Sequence, residues 1–395
     1  MESLRELYRI GAGPSSSHTM GPQRAALQYK SRHPAPSYRV TLYGSLAATG
    51  RGHLTDVALT RAFAPSTVEM VWKGDEVLPF HPNGMDFEAP GAPAWRVFSV
   101  GGGALREENV APPASVYPVS TMDAILEGCD REGEPIWRLA ETSEGPALWD
   151  HLAAVWKTMQ EAIRRGLEAE GALPGGLKLR RKAREMHLKA RAAGPARATG
   201  LLSAYALAVM EENGSAGVVV TAPTCGACGA VPAVLRYVQE TTGCGDRDVL
   251  HALATAGIVG NLVKANASIS GAEVGCQGEV GTACAMGAAA AAQLMGGTPR
   301  QIEYAAEMGM EHHLGLTCDP VLGLVQIPCI ERNAFAATRA VSCAEYALLG
   351  DGAHRISYDQ VVRTMKETGR SLPSAYRETS RGGLASVWKT ASHPM

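Results

Sequence analysis

The pattern of apolar and polar residues divides the chain into two parts. In the first part, short alternating runs predict strands at residues 38–43, 68–72 and 95–100. A short helix is predicted at residues 54–63, between the first two strands. This mixture of strands and helix predicts a small α+β domain over residues 1–141.

The rest of the chain has helical periodicity. Large apolar residues recur every three or four positions at Leu148, Leu152, Val155, Met159, Ile163 and Leu167. Further helices are expected at about 199–212, 230–242, 247–265, 281–296, 299–311, 332–349 and 358–369. No strand pattern of similar quality follows residues 218–220. Residues 147–395 are therefore expected to form a mainly α-helical domain, joined to the first at residues 142–146.

Composition and charge exclude several classes of protein. The chain of 395 residues is 46% hydrophobic and 19% charged, as in soluble globular proteins, and its net charge of −2 gives no basic field for nucleic acid. The most apolar stretch, residues 283–295, is too short for a membrane span. Residues 178–197 are rich in Lys and Arg, which indicates a solvated helix face or loop, with an anionic-ligand patch as the alternative.

Cysteine usage points to a reducing compartment. The chain has nine cysteines, and its first residues lack the apolar core of a signal peptide. Reduced thiols in a cytoplasmic protein are therefore expected, with a metal or cluster site among them.

Three of these cysteines, Cys276, Cys318 and Cys329, lie in glycine- and proline-rich segments of the helical part. Three thiolates suit a cubane iron–sulfur cluster in which one iron is left open. An open iron is a Lewis acid, which suits activation of a substrate hydroxyl or carboxylate. The alternative is three buried structural thiols, and the spacing alone, without a CxxC pair, favours that alternative.

The sequence around the cysteines reverses that preference. Residues 271–281 (GAEVGCQGEVG), 315–320 (GLTCDP) and 327–334 (IPCIERNA) carry the three cysteines, and residues 13–19 (GPSSSHT) and 376–385 (YRETSRGGLA) lie near the two ends. Together these segments resemble the iron–sulfur-dependent L-serine dehydratase (L-serine ammonia-lyase) family. The likeness extends over nearly the whole chain, with the motifs in the same order.

The resemblance implies a [4Fe–4S] cluster bound by Cys276, Cys318 and Cys329, and conversion of L-serine to pyruvate and ammonia without pyridoxal phosphate. It implies that a base removes the α-proton of serine, with His53 as the first candidate and His18 as the second. It also implies an N-terminal domain of the allosteric-substrate-binding type. A homodimer acting on a small amino acid, with no nucleic-acid or membrane partner, is expected.

A cluster of hydroxyl groups beside an imidazole forms one candidate substrate loop, at Ser15, Ser16, Ser17, His18 and Thr19. Such a loop can hold a carboxylate through hydroxyl and backbone N–H groups if a helix begins at Met20. An ordinary helix cap is the alternative. Three serines with a histidine exceed what a cap needs, so substrate binding is predicted.

A second loop, residues 44–56, is rich in glycine and carries His53, Thr55 and Asp56. Histidine titrates near neutral pH and is the usual proton-transfer group. A surface histidine is the alternative, but the matching family motif favours the active site. His53 and Asp56 are therefore predicted to be catalytic, and Thr55 to contact substrate.

The turn after residues 218–220 carries Thr224, Cys225 and Cys228. A CxxC pair before a helix suggests a thioredoxin-like redox site, but the surrounding helices argue against that fold. The resemblance predicts that Thr224 contacts substrate. The family usually has Asn where this chain has Cys225, which leaves open elimination from cysteine or threonine instead of serine.

Near the C-terminus, Arg381 has the planar fork that suits a substrate carboxylate, with a surface salt bridge as the alternative. Family members often have a cysteine close to the terminus, whereas the ten residues after Ala385 contain none. Water or His393 is therefore expected to complete the coordination of the fourth iron. A protein of another class, an amino-acid sensor whose first domain binds the ligand, is a further alternative.

Overall fold

The computed structural model describes residues 1–111, 113–192 and 194–392, with side chains described up to Trp388. In chain order, the first part contains the elements β1 (Ile10–Ala12), α1 (Gly21–Arg32), β2 (Ser37–Tyr43), α2 (Gly44–Thr49), α3 (Thr55–Phe63), β3 (Thr67–Lys73), β4 (Gly84–Glu88), β5 (Trp95–Ser99) and β6 (Leu105–Arg106).

Five of these strands form one mixed sheet in the order β3-β2-β4-β5-β6. β2 and β3 run parallel and are connected through α2 and α3, whereas β4, β5 and β6 continue the sheet with antiparallel pairing. The sheet and the helices α1 and α3 enclose a small hydrophobic core whose largest members are Tyr29, Tyr38, Phe63 and Phe87. The position of α2 and α3 at one end of β2 brings the loop with His53 toward the helical part.

The strands and the helix predicted in this part are confirmed as β2, β3, β5 and α3. The strand β4 was not predicted, although Met85 and Phe87 point into the core at the two-residue spacing of a strand. Glycine and proline residues around β4 leave only a short run of alternating apolar and polar residues, so the strand is difficult to recognise in the sequence.

The second part is built almost entirely of helices. They are α4 (Met122–Glu132), α5 (Trp137–Glu144), α6 (Ala147–Glu168), α7 (Ala183–Ala192), α8 (Arg197–Gly214), α9 (Ala230–Thr242), α10 (Asp246–Asn266), α11 (Gly271–Val274), α12 (Val280–Leu294), α13 (Pro299–Glu311), α14 (Cys329–Leu348), α15 (Tyr358–Ser371) and α16 (Gly383–Ser392), with one short strand, β7 (Val218–Val220). The predicted helices and the α+β fold class are confirmed.

The alanine-rich helix α12 lies at the centre of the helical part, buried from Val280 to Ala292. Its small side chains let the neighbouring helices approach closely. A Cβ atom at Gly309 of α13, for example, would lie 2.9 Å from the Cα atom of Ala285. Within the described ranges, no helix is both long and apolar enough to cross a membrane.

Both ends of the first 141 residues pack into the larger core of the helical part. Leu4, Leu7 and Tyr8 are fully buried there, and β1 pairs with β7 in an antiparallel ladder. The helices α4 and α5, which were not predicted, contribute buried residues to the same core, and the apolar spacing of Met122, Ile125 and Leu126 was the available signal. The domain boundary at residues 142–146 stays a prediction.

Candidate active site

The serine-rich segment forms a single tight turn, Ser16–Met20, that continues directly into α1. The Ser15 hydroxyl accepts a hydrogen bond from the His18 backbone N–H at 3.1 Å, as a helix cap does. Ser16 and Ser17 are buried in this turn. The turn therefore caps a helix and also holds a buried imidazole, and substrate binding by its serines stays a prediction.

Two threonine hydroxyls join this turn to the loop that carries His53. Thr19 Oγ1 donates to the His53 carbonyl at 2.6 Å, and Thr55 Oγ1 donates to the His18 carbonyl at 2.5 Å. Thr19 and Thr55 were predicted to contact substrate. Their hydroxyl protons are instead used to hold the backbones of the two histidines together, and their role toward substrate stays a prediction.

The His53 ring is buried, and its hydrogen bonds define which nitrogen is available. His53 Nδ1 lies 3.0 Å from the Thr49 carbonyl oxygen, which can only accept, so Nδ1 carries the proton. His53 Nε2 therefore presents a lone pair, 4.0 Å from Glu378 Oε1. Burial lowers the pKa of His53 to about 4, so the ring is neutral at pH 7.

His18 lies beside it, with ring centroids 4.5 Å apart. The Ser45 hydroxyl donates to the Glu378 backbone carbonyl at 2.7 Å, so it accepts from His18 Nε2 at 3.3 Å. His18 Nδ1 is left as the acceptor, 2.9 Å from Ser17 Oγ. Burial, and then the neighbouring His53, lower the pKa of His18, so both imidazoles are neutral bases.

The carboxyl group of Glu378 meets both histidines. Glu378 is 5% exposed, its backbone has a left-handed φ of 54°, and its Oε1 lies 3.5 Å from His18 Nδ1. The distance suggests an ion pair, but burial, then the charges of Glu279 and Cys276, raise the pKa of Glu378, and burial lowers that of His18. A neutral carboxyl beside neutral imidazoles follows, and Glu378 Oε2 has no hydrogen-bond partner among the described residues.

The three predicted cysteine ligands lie close enough to interact with one another and with Glu378. Cys276 precedes α12, Cys318 lies in a loop, Cys329 begins α14, and all three are buried. A hydrogen bond from Cys318 and the positive charge of Arg332 lower the pKa of Cys276 to about 6. Arg332 is held in place by the Thr317 carbonyl at 2.6 Å. Thiolate formation is thus favoured at this point.

Glycines allow the cysteine segments to approach closely. Gly275, before Cys276, has a φ of +73°, and a Cβ atom there would lie 2.8 Å from the Leu316 carbonyl oxygen. A Cβ atom at Gly271 would lie 2.8 Å from Glu279 Oε2 and 3.3 Å from Cys318 Sγ. The glycines of the motif therefore make room for the acidic side chain and the thiol.

Glu279 connects the cysteines to the loop of Thr224. Thr224 Oγ1 donates to Glu279 Oε1 at 2.7 Å, and Glu279 Oε2 lies 4.0 Å from Cys318 Sγ. Burial, and then the charge of Cys276, raise the pKa of Glu279 to about 8. Thr224, predicted to contact substrate, therefore reaches the cysteine pocket through this carboxyl group.

These groups fit an iron–sulfur cluster. Three buried thiols face an arginine cation, and an unpartnered carboxyl oxygen of Glu378 is available nearby. In the described part of the chain, no three His, Cys, Asp or Glu side chains are arranged to hold a single metal ion. A cubane does not need such a group, because each cysteine binds a different iron.

Two other predicted residues have contacts outside the histidine and cysteine groups, and the catalytic role of Asp56 stays a prediction. Asp56 is on the first turn of α3, where its Oδ1 accepts from the Val57 N–H at 2.9 Å. Arg381 forms a salt bridge with Asp75 at 2.6 Å, with about half of its side chain exposed, as in the surface alternative considered for it. The contact ties the C-terminal segment to the loop after β3. His393, considered as an iron ligand, lies outside the described residues.

A cavity of about 430 Å³ lies beside the histidines, between the first part and the helical part. Ser45, which contacts His18, is in its wall, as is Arg381. Three further cationic residues line the cavity: Lys366, Arg370 and Arg377. Cations outnumber the carboxylates of Asp75 and Glu273 there, which favours an anionic group such as a carboxylate.

The CxxC pair is not a redox site in this structure. Both cysteines are free and buried, with Cys225 Sγ 3.9 Å from Met20 Sδ and Cys228 Sγ 3.8 Å from Met210 Sδ. Burial raises the pKa of both thiols, whereas a reactive pair needs a thiolate.

Sequence reasoning did not single out Ser45, Glu279, Arg332 or Glu378 as site residues. Glu279, Arg332 and Glu378 lie inside the quoted motifs, and a charged side chain within a glycine- or cysteine-rich motif was the available signal. Ser45 carried no such signal, because its role depends on a contact with a residue 333 positions away.

A buried group of thiols, carboxyls and neutral imidazoles with shifted pKa values, next to a cavity, is typical of an enzyme active site. Comparison with known proteins identifies the family. The model of the serine dehydratase beta chain matches residues 3–70, and that of the serine dehydratase alpha chain matches residues 119–385. The chain belongs to the serine dehydratase family, which confirms the resemblance drawn from the motifs.

Several relatives match over nearly their whole length. "L-serine dehydratase" of Streptomyces coelicolor is 43% identical over 97% of this chain and 98% of that protein. "L-serine dehydratase 1" of Escherichia coli is 41% identical over 98% and 99%, and "L-serine dehydratase" of Helicobacter pylori is 34% identical over the same shares. The Streptomyces alignment spans 449 positions against 395 residues here, so that protein has internal segments that this chain lacks.

Proposed function

We propose that this protein is an L-serine dehydratase that converts L-serine to pyruvate and ammonia. The observation that carries the proposal is the buried meeting of two neutral imidazoles, His18 and His53, with Glu378 beside three cysteines. Membership of the family and the names of the relatives support the same reaction.

The cofactor in this proposal is a [4Fe–4S] cluster held by Cys276, Cys318 and Cys329. When bound, it would supply an open iron as a Lewis acid for the substrate hydroxyl. Arg332 offsets the negative charge of the thiolates, since its guanidinium already lowers the pKa of Cys276. Glu279 and Glu378 lie next to the three cysteines, where they would face the bound substrate.

The cationic cavity is the proposed entrance for substrate. Its arginines and lysine attract the serine carboxylate, and its wall shares Ser45 with the histidine site. Arg377 is the best-placed of these cations, because its Nε atom is buried without a hydrogen-bond partner among the described residues. A carboxylate would satisfy that donor.

His53 is the proposed base. Its Nδ1–H is fixed by the Thr49 carbonyl, so Nε2 keeps a free lone pair on the side of Glu378. A neutral ring accepts the α-proton of serine, the hydroxyl group leaves, and the Cα–Cβ double bond of aminoacrylate forms. Aminoacrylate becomes the imine by a proton shift, and water then gives pyruvate and ammonia. His18 is the second candidate.

Elimination from cysteine or threonine has less support. That alternative was suggested by Cys225, which stands where the family usually has Asn, but the Cys225 thiol is fully buried against Met20. The sensor alternative has less support as well, because all three cysteines of the motif lie in one pocket.

The test is an anaerobic preparation measured for iron, sulfide and pyruvate release from L-serine, with L-threonine and L-cysteine in parallel. We expect a brown protein that acts on serine. Cys318→Ala should lose both iron and turnover, and Cys244→Ala, a half-buried cysteine outside the site, should keep both. A colourless, fully active protein, or one that needs pyridoxal phosphate, would refute the proposal.

A further inference from the structure

A groove with a volume of about 780 Å³ lies among the helices α6, α7, α8 and α9, outside the candidate active site. Among the described residues, those that line this groove are all different from those that line the cavity beside the histidines. The first half of α8 lines the groove, whereas Asn213 near the other end of α8 donates to the Pro14 carbonyl at 2.8 Å. Because the 18 residues of α8 span about 27 Å, the groove is well separated from the serine-rich turn that follows Pro14.

The walls of the groove are cationic. Five basic side chains line it, against the two carboxylates of Glu161 and Glu240: Lys157, Arg164, Arg191, Arg197 and Arg236. The chain as a whole has a net charge of −2, so this excess of positive charge is a local feature and does not follow from the overall composition. A concave surface lined by one sign of charge attracts ligands of the opposite sign.

Some of these cations have no carboxylate to neutralise them. Arg164 and Arg236 each pair with a glutamate one helical turn further along the same helix. In contrast, the side chains of Lys157, Arg191 and Arg197 form no ion pair or hydrogen bond with any residue that the structure describes. These three residues lie on α6, α7 and α8. Three helices therefore present an unneutralised charge to the same space.

The pairing also bears on the basic segment of residues 178–197, for which a solvated face and an anionic-ligand patch were both considered. Most cations of this segment that lie outside the groove form an ion pair with a carboxylate: Arg180, Arg181, Lys182, Arg184 and Lys189. Arg191 and Arg197, which line the groove, have no such partner in the described part of the chain. The segment thus divides into a salt-bridged face and a part that remains available to an anion.

The groove also has an apolar part. Ile163, Leu201 and Tyr205 line it and are buried. The Tyr205 hydroxyl donates to Glu240 Oε2 at 2.7 Å, and the ring of His187 lies 5.6 Å from the ring of Tyr205. The volume is within the range of sites for organic ligands and is larger than an inorganic anion needs. An occupant with a planar, weakly polar part as well as its charges therefore fits the groove best.

We propose that this groove binds a nucleoside diphosphate. Its phosphates would contact Lys157, Arg191 and Arg197, because the guanidinium fork matches the spacing of phosphate oxygens and several charges are needed to balance three cations. Its base would pack on the apolar part of the groove. The single carboxylate of an amino acid would leave most of this positive charge unbalanced. The proposal rests on the groove alone and is independent of the proposed reaction.

Isothermal titration calorimetry tests the proposal on the full chain, prepared anaerobically with its iron retained and measured without serine. We expect ADP to bind at one site per chain, and more weakly at high salt because salt screens exposed charges. Adenosine, which lacks the phosphates, should show no measurable binding, and pyrophosphate, which lacks the base, should bind more weakly than ADP. Absence of ADP binding, or an affinity for either fragment equal to that for ADP, would overturn the proposal.

Substitutions show where in the chain the ADP binds. Arg197→Gln and Lys157→Gln should each raise the dissociation constant by about tenfold or more, because a charge-assisted hydrogen bond to phosphate is lost. Arg370→Gln is the matched control, since Arg370 is an exposed arginine of the other cationic cavity, beside the histidines. It should leave the affinity for ADP unchanged, and thermal unfolding should be the same for all three variants. Unchanged affinity in both groove variants, or an equal loss in the control, would contradict this location and overturn the proposal.

Discussion

The hydrogen bond from Thr55 to the His18 carbonyl offers the sharpest test of how the two histidine loops are held together. Thr55 is fully buried, and its hydroxyl donates at 2.5 Å. Pro22, four residues after His18, has no N–H group and cannot serve that carbonyl as a helical residue would. The threonine hydroxyl is therefore the donor that this buried acceptor requires.

Thr55→Val keeps the shape of the side chain but removes the donor. Leaving a buried carbonyl without a partner costs about 1–3 kcal/mol, so we expect the free energy of unfolding to fall by that amount. We also expect a lower kcat, because His18 and His53 lose one of the two bonds between their backbones. The assay is urea unfolding followed by tryptophan fluorescence, with pyruvate release measured on the same preparation.

Thr60→Val is the matched control on the same helix. Thr60 Oγ1 donates to the Asp56 carbonyl at 2.8 Å, but the residue is exposed and water can replace its hydroxyl. We expect a change within about 0.5 kcal/mol for this variant. Equal unfolding midpoints for the two variants would refute the argument that the Thr55 bond holds the loops together.

Three further predictions concern the same site. His53→Gln should lower kcat for L-serine by about 10²- to 10⁴-fold, the usual contribution of a general base, while iron content stays unchanged; loss of iron would mean a structural role instead. Burial lowers the pKa of His53 to about 4, against about 6.5 when unfolded, so its contribution to stability is complete above pH 6.5 and is lost as the pH falls toward 4. Between pH 7 and pH 5, the free energy of unfolding measured with urea should fall by about 2 kcal/mol more for wild type than for His53→Gln. An equal fall in both proteins would contradict the pKa shift. Asn333 accepts hydrogen bonds from the backbone N–H groups of Gly229 and Ala230 and donates one to the Cys329 carbonyl. Asn333→Ala should therefore lower the free energy of unfolding by about 3 kcal/mol or more and reduce iron retention. Thermal unfolding and iron analysis measure the two effects. Unchanged iron content in that variant would show that cofactor binding does not depend on how Asn333 packs α14 against its neighbours.

The sequence determined the local elements and the chemistry of the motifs. The helix α13 was predicted with the bounds that the structure has, because Thr298 caps it, Pro299 begins it and its apolar residues repeat with the helical period. The cysteines and His53 were predicted as site residues because their motifs resemble those of the family, since spacing or residue type alone favoured a structural or surface role. These signals are local, since capping, periodicity and glycine-rich turns depend on neighbouring residues only.

Only the tertiary structure decided which groups meet. Glu378 contacts His18 and His53 from the far end of the chain, and Ser45 orients His18 through a bond to the Glu378 backbone. Burial fixes the protonation of all three side chains, and no sequence pattern states how much water a side chain excludes. The hydrogen-bond partners of Thr19 and Thr55 were decided by the tertiary structure for the same reason, because a hydroxyl that suits a substrate equally suits a buried carbonyl, and the partner is set by packing between distant segments.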